Sequence, residues 1–147
     1  MKELPDYFGP IIDLLKSYID HRADHFTFQA RGGGYQVAPY VQALQEHDNV
    51  LLIEAVSNQF LKPHISPEGH SALMFMGWRF FPESYLPNYA QFIDQSKVSS
   101  EEIALKMARA LHFGYGVDAS YFFQIAPDLE VAKTVTPTLN LISNISR

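Results

Sequence analysis

The segment HISPEGHSALMFMGW, residues 64–78, contains Gly69-His70-Ser71-Ala72-Leu73. It is one residue short of G-x-S-x-G, the turn that presents a nucleophilic serine in α/β hydrolases. That elbow needs a strand leading in, a sharp turn and a glycine on both sides of the serine. Here Ser66-Pro67-Glu68 comes first, and Leu73 stands where the second glycine belongs. Ser66 is suited to cap a helix by accepting a free backbone N–H. Pro67 fits the first helical position, and Glu68 faces the positive end of the helix dipole. Gly77 fits the residue just past the end. The spacing therefore predicts a helix over 67–76 with Ser71 inside it. A small-molecule-binding or hydrolase-like enzyme would instead need Ser71, Glu54 and a histidine together in a deep pocket.

The six histidines are at 21, 25, 47, 64, 70 and 112. Two metal ligands on one helix must be three or four residues apart to share a face. His21 and His25 have that spacing, but a helix ending near 22 and a strand starting near 25 separate them. His64 and His70 straddle the Ser66 cap, and no H-E-x-x-H occurs. They read as surface or turn residues, and no metal or other cofactor is expected. The glycines of RGGGY, 31–35, lack the Gly-Lys-Ser/Thr of a P-loop and the spacing of a dinucleotide loop. They read as a hairpin loop. Glu54, inside LLIEAVS, is expected to be exposed or paired with Arg79 or Arg109. No catalytic residue is assigned.

The elements that position these residues follow from periodicity. Apolar residues 11, 12, 15, 18 and 19 draw one stripe down a helix over 10–22. Alternation in HFTFQA, 25–30, predicts a strand. Further strands are expected near 37–46 and 50–57, joined at the polar turn His47-Asp48-Asn49. After the helix at 67–76, Trp78 and Phe80 are expected to fill one face of a strand, with Arg79 and Phe81 on the other. Pro82 and Pro87 bracket a loop, and NYAQFID forms the pairing strand. Ser99-Ser100-Glu101-Glu102 is a capping box. It opens a helix whose buried face is Ile103, Met107, Ala110 and Leu111, stopped by Gly114 or Gly116. A last strand is expected at 119–126. The order α-β-β-β-α-β-β-α-β with short turns predicts an α+β fold with a largely antiparallel sheet. The domain is expected to end near 126. In the tail, 127–147, Leu139, Ile142 and Ile145 are spaced for a docked helix.

The totals narrow the function. The chain has 147 residues, a net charge of -5 and no cysteine. Disulfides, thiolate zinc and cysteine catalysis are therefore absent. An acidic balance without Lys/Arg runs argues against a nucleic-acid partner. No segment reaches the ~20 apolar residues of a membrane span, and no signal peptide is seen, so a cytoplasmic chain is expected. Eleven Phe and eight Tyr exceed what one small core easily hides. In WRFFPESYLPNY, Phe81 and Tyr85 are the rings hardest to bury.

FTFQ, PYVQALQEHDNVLLIEAVSNQFL, SPE and MGW before a capped helix resemble the TY-Chap domain. That family occurs mainly in actinobacterial proteins and is similar to type III secretion (Tir) chaperones and to YbjN. The resemblance spans roughly residues 8–126. It implies an α+β domain that binds protein segments or pairs with itself, in a small, acidic, dimeric protein without catalytic residues. The expected function is a non-enzymatic chaperone-like or adaptor protein, a homodimer, with Phe60, Phe81 and Tyr85 contacting the partner.

Overall fold

A computed structural model describes residues 3–80 and 87–127. A 3-10 turn, Asp6–Phe8, leads into α1, Gly9–Asp20. Three strands follow: β1, His25–Arg31; β2, Tyr40–His47; and β3, Val50–Ala55. Then come α2, Pro67–Phe75; β4, Arg79–Phe80; β5, Tyr89–Asp94; α3, Ser100–Arg109; and β6, Phe122–Ala126. The six strands form one antiparallel sheet in the order β4-β5-β3-β2-β1-β6. This is the α+β architecture that the element order predicts.

The helix termini form as their residues dictate. The Ser66 hydroxyl accepts from the Gly69 amide at 3.0 Å. At the other end of α2, Trp78 N–H donates to Leu73 C=O and Gly77 N–H to Met74 C=O. Gly77 has φ +93°, so the pair of bonds is a Schellman stop that needs a residue free of Cβ strain. Ser99 accepts from the Glu102 amide at 3.1 Å, and its hydroxyl, rather than its amide, meets the Glu102 carboxylate. Removing the α2 cap with Ser66→Ala is expected to cost about 1 kcal/mol, read as a lowered urea midpoint with an unchanged m-value. No loss of midpoint would refute the cap's contribution.

Strand alternation sorts the sheet into two faces. Phe26, Phe28, Val41, Ala43, Ile53 and Ala55 point to one face and join Ile11, Leu15, Ile103 and Met107 in the core between sheet and helices. α1 and α3 pack against each other above this face. α3 continues into a π turn, Ala110–Gly114. The wider turn seats Gly114 beside α2 and directs Tyr115 toward the sheet, where its hydroxyl donates to the Val56 carbonyl. The three glycines after β1 do more than form a loose loop. Gly33 has φ +62° and lies directly under the Tyr121 ring, leaving no room for a Cβ.

Some expectations need correction. β2 starts at Tyr40 rather than near 37, because Val37 is held in an isolated bridge to Lys62. β6 starts at Phe122 rather than 119, because Asp118 takes Ser120 and Tyr121 into a turn. Trp78 is fully buried but Phe80 is 37% exposed. The reason is that β4 is only two residues long and lies at the sheet edge. Phe81, the loop from Pro82, Tyr85 and the tail beyond Pro127 lie outside the described residues, as does the helix expected there.

Candidate functional site

The outer face of the sheet carries the opposite strand parity, and among the described residues no helix packs on it. Its centre is a polar cross-strand row. Thr27 pairs with Gln42, Gln42 with Glu54, Glu54 with Ala90 and Ala90 with Arg79. The Thr27 hydroxyl donates to Gln42 Oε1 at 3.3 Å, and Gln42 Nε2 donates to Glu54 Oε2 at 2.7 Å. Glu54 is only 6% exposed. Its partner is therefore a glutamine on the neighbouring strand. This corrects the expectation of Arg79 or Arg109: Arg79 sits two strands away beyond Ala90, and Arg109 is on α3.

Apolar and aromatic residues border this row on both sides. On one side Leu44, Leu52 and Phe92 form the next row of the same parity. Phe92 is 55% exposed, while Leu52 is buried yet outside the helix-side core. On the other side Asn88 accepts from the Ser57 amide at 3.0 Å, and its Nδ2 lies 3.4 Å from the Tyr40 hydroxyl. Burial pushes the Tyr40 hydroxyl above the usual tyrosine range, the Asn88 bond opposes this, and the nearby Glu54 charge adds to it.

The residues of the enzymatic alternative are not brought together. Ser71 is exposed within α2. Glu54 is on the outer face of the sheet, whereas α2 belongs to the helix side. His21, His25, His47 and His64 are exposed, as turn and surface residues should be. His70 and His112 depart from that expectation: both are half-buried and bonded, His70 Nδ1 to the Tyr89 hydroxyl at 2.6 Å and His112 Nδ1 to the Val117 carbonyl at 2.7 Å. A cleft of about 340 Å³ opens between the end of α1 and the start of α3. It is lined by Asp20, Arg22, Gln95 and Ser99 among others and contains neither Ser71 nor Glu54. Among the described residues no group of three or more His, Asp or Glu side chains is placed to hold a metal ion.

Of the three expected contact residues, Phe60 is on the turn after β3 and 39% exposed. Phe81 and Tyr85 lie outside the described residues. The sequence reading missed Phe92 and Phe75, the latter 80% exposed. Phe75 could have been found: two helical steps turn it about 200° away from buried Leu73. Phe92 could not, because YAQFID alternates with a hydrophobic residue on either parity.

No helix among the described residues is long and apolar enough to cross a membrane. Neither a curated protein nor a solved structure matches the chain significantly. A family model does, over residues 15–126: TY-Chap3, described as T3SS (YopN, CesT) and YbjN peptide-binding chaperone 3. That span takes in the second half of α1, all six strands, α2 and α3. The chain therefore belongs to the TY-Chap3 family of peptide-binding chaperones.

Proposed function

We propose that this protein is a cytoplasmic, non-enzymatic chaperone or adaptor, acting as a homodimer, that captures an extended segment of a partner protein. Family membership supports peptide capture in general. The single observation that carries the surface is the outer face of the sheet, where the half-exposed ring of Phe92 adjoins Leu44 and Leu52 and no described helix packs. Phe60, Phe81 and Tyr85 supply further apolar contacts to the segment. Aromatic anchors commonly dominate such contacts, each worth about 1 kcal/mol or more on truncation.

The test is fluorescence anisotropy with a panel of labelled, unstructured peptides of varied apolar and charged content. Wild-type protein is expected to bind the apolar members saturably. A variant with Phe60, Phe81 and Tyr85 all changed to Ala should bind them at least about tenfold more weakly while keeping its melting temperature. Absence of binding across the panel would refute peptide capture. Equal binding by the variant would refute the three contacts alone. Light scattering should give the mass of two chains, and a monomer at high concentration would remove the dimer.

A further inference from the structure

We propose that the cleft between the end of α1 and the start of α3 binds a carboxylate group, with Arg22 as the residue that holds it. Arg22 follows the last turn of α1. Its amide donates to the Ile19 carbonyl, and the Ala23 amide donates to the Tyr18 carbonyl. A helix stop of this kind usually employs glycine, because one residue must take a left-handed backbone. Arg22 takes it, with φ +55°, and among the described residues no other side-chain-bearing residue has a positive φ. A residue held in a sparsely populated backbone region points to a use for its side chain. Local bonding does not supply that use. Among the described residues the guanidinium makes one hydrogen bond, from Nη1 to Gln95 Oε1, exposed and 3.4 Å long. That is beyond the roughly 2.7–3.2 Å of a good N–H···O bond. The ion pairs among these residues use Lys16 and Lys97, not Arg22.

The rest of the cleft fits one small anion. Its volume, about 340 Å³, is at the small end of ligand pockets. Gln45 Nε2 donates to the His47 and Val50 carbonyls and, at 2.7 Å, to Gln95. The Gln95 atom facing it is therefore the oxygen, and Gln95 Nε2 is left as a second donor without a partner among the described residues. The acidic lining residue, Asp20, is already engaged. Lys16 donates to it at 2.8 Å, and bonds from Lys16 first and Ser100 second hold its carboxyl below the usual range. Glu101 and Glu102 answer the positive end of α3. The charge left over is the guanidinium. Buried Ile19 and Ile103 also line the cleft, so an ion pair formed there is screened less than one on an open surface. One guanidinium and one amide match a single carboxylate. A dianionic phosphate would set its second charge against Asp20 in the same cleft.

The experiment is a set of NMR titrations of the full chain. The probes are propionate, inorganic phosphate, and an unstructured peptide carrying one glutamate or, in its place, glutamine. The signals followed are the amides of Arg22 and Ser100 and the side-chain amide of Gln95. Wild type is expected to shift them saturably with a carboxylate probe, and at least about tenfold more weakly with the glutamine peptide than with the glutamate peptide. Shifts with propionate assign the site to free small acids; shifts with the glutamate peptide alone assign it to an acidic side chain of a partner. Arg22→Gly should abolish the shifts while keeping or raising the urea midpoint, since glycine relaxes the backbone there. Silent cleft signals with both carboxylates would overturn the site. So would equal shifts with the glutamine peptide, tighter binding of phosphate, or an undiminished response in Arg22→Gly. A lowered midpoint in Arg22→Gly would show that the arginine serves stability and would remove the reason for giving it a ligand.

Discussion

Gly69→Ala is expected to destabilise the protein by about 3 kcal/mol or more, at the upper end of overpacking costs. From sequence alone the opposite sign follows. Gly69 is in the third position of α2, where alanine normally stabilises a helix by about 0.5–1 kcal/mol. The structure reverses this because a Cβ there would lie 2.0 Å from the Gly114 carbonyl oxygen and 2.9 Å from Ile65 Cγ1. The oxygen is backbone and cannot rotate aside, so α2 would have to lift off the π turn, drawing Leu73 out of the core. Gly114→Ala meets Leu73 Cδ2 at 2.8 Å, the end of a side chain that can adjust, and is expected to cost roughly 1–2 kcal/mol. Urea denaturation of both variants checks the order. A Gly69→Ala protein as stable as wild type would show that the two elements do not meet this closely.

That contact also marks how far the sequence could be read. Local chemistry was legible: the Ser66 and Ser99 caps, the Gly77 stop and the buried face Ile103-Met107-Ala110-Leu111 all form as the residues require. Such features depend on neighbours within one turn of chain. The meeting of Gly69 with Gly114 depends on two distant segments, and each glycine had an adequate local explanation, one as a helix residue and the other as a stop. The same limit hid the Tyr121 ring over Gly33. For the candidate site, alternation placed Glu54 on a strand but not its partner, because a glutamine opposite a glutamate is identified only once the β2–β3 register is known. The resemblance implied a domain that binds protein segments or pairs with itself, while Phe81 and Tyr85 stood out separately, by how hard their rings are to bury. That criterion passes over Phe92, which looks like an ordinary strand residue until its half-exposed ring is seen.

Raising the pH above about 10 is expected to unfold the protein cooperatively, with Tyr115 the largest single contributor. Its side chain is buried and its hydroxyl donates to the Val56 carbonyl. Burial, reinforced by Tyr89, Tyr40 and Tyr35 nearby, holds its ionisation well above the usual tyrosine value of 10.0. Burial also raises Tyr7, Tyr35, Tyr40, Tyr89 and Tyr121, to smaller extents. The sign follows from proton counting. Above pH 10 the unfolded chain releases its phenolic protons while the folded chain keeps them, so the unfolded state binds fewer protons and stability falls as pH rises. The decline begins near the unfolded value and continues until the folded groups also ionise. Tyr115 alone contributes about 1.4 kcal/mol per pH unit in that window. Each pH unit in that window therefore takes away a sizeable part of the roughly 5–15 kcal/mol that holds a domain folded. Phenolate absorbance should rise in one steep step together with the loss of far-ultraviolet circular dichroism. Tyr115→Phe should cost about 1 kcal/mol at neutral pH through the lost hydrogen bond. Above pH 10 its stability should decline more gently than that of wild type, by about 1.4 kcal/mol per pH unit. An identical alkaline slope in the two proteins would mean that Tyr115 ionises as freely in the folded chain as in the unfolded one, contrary to its burial against β3.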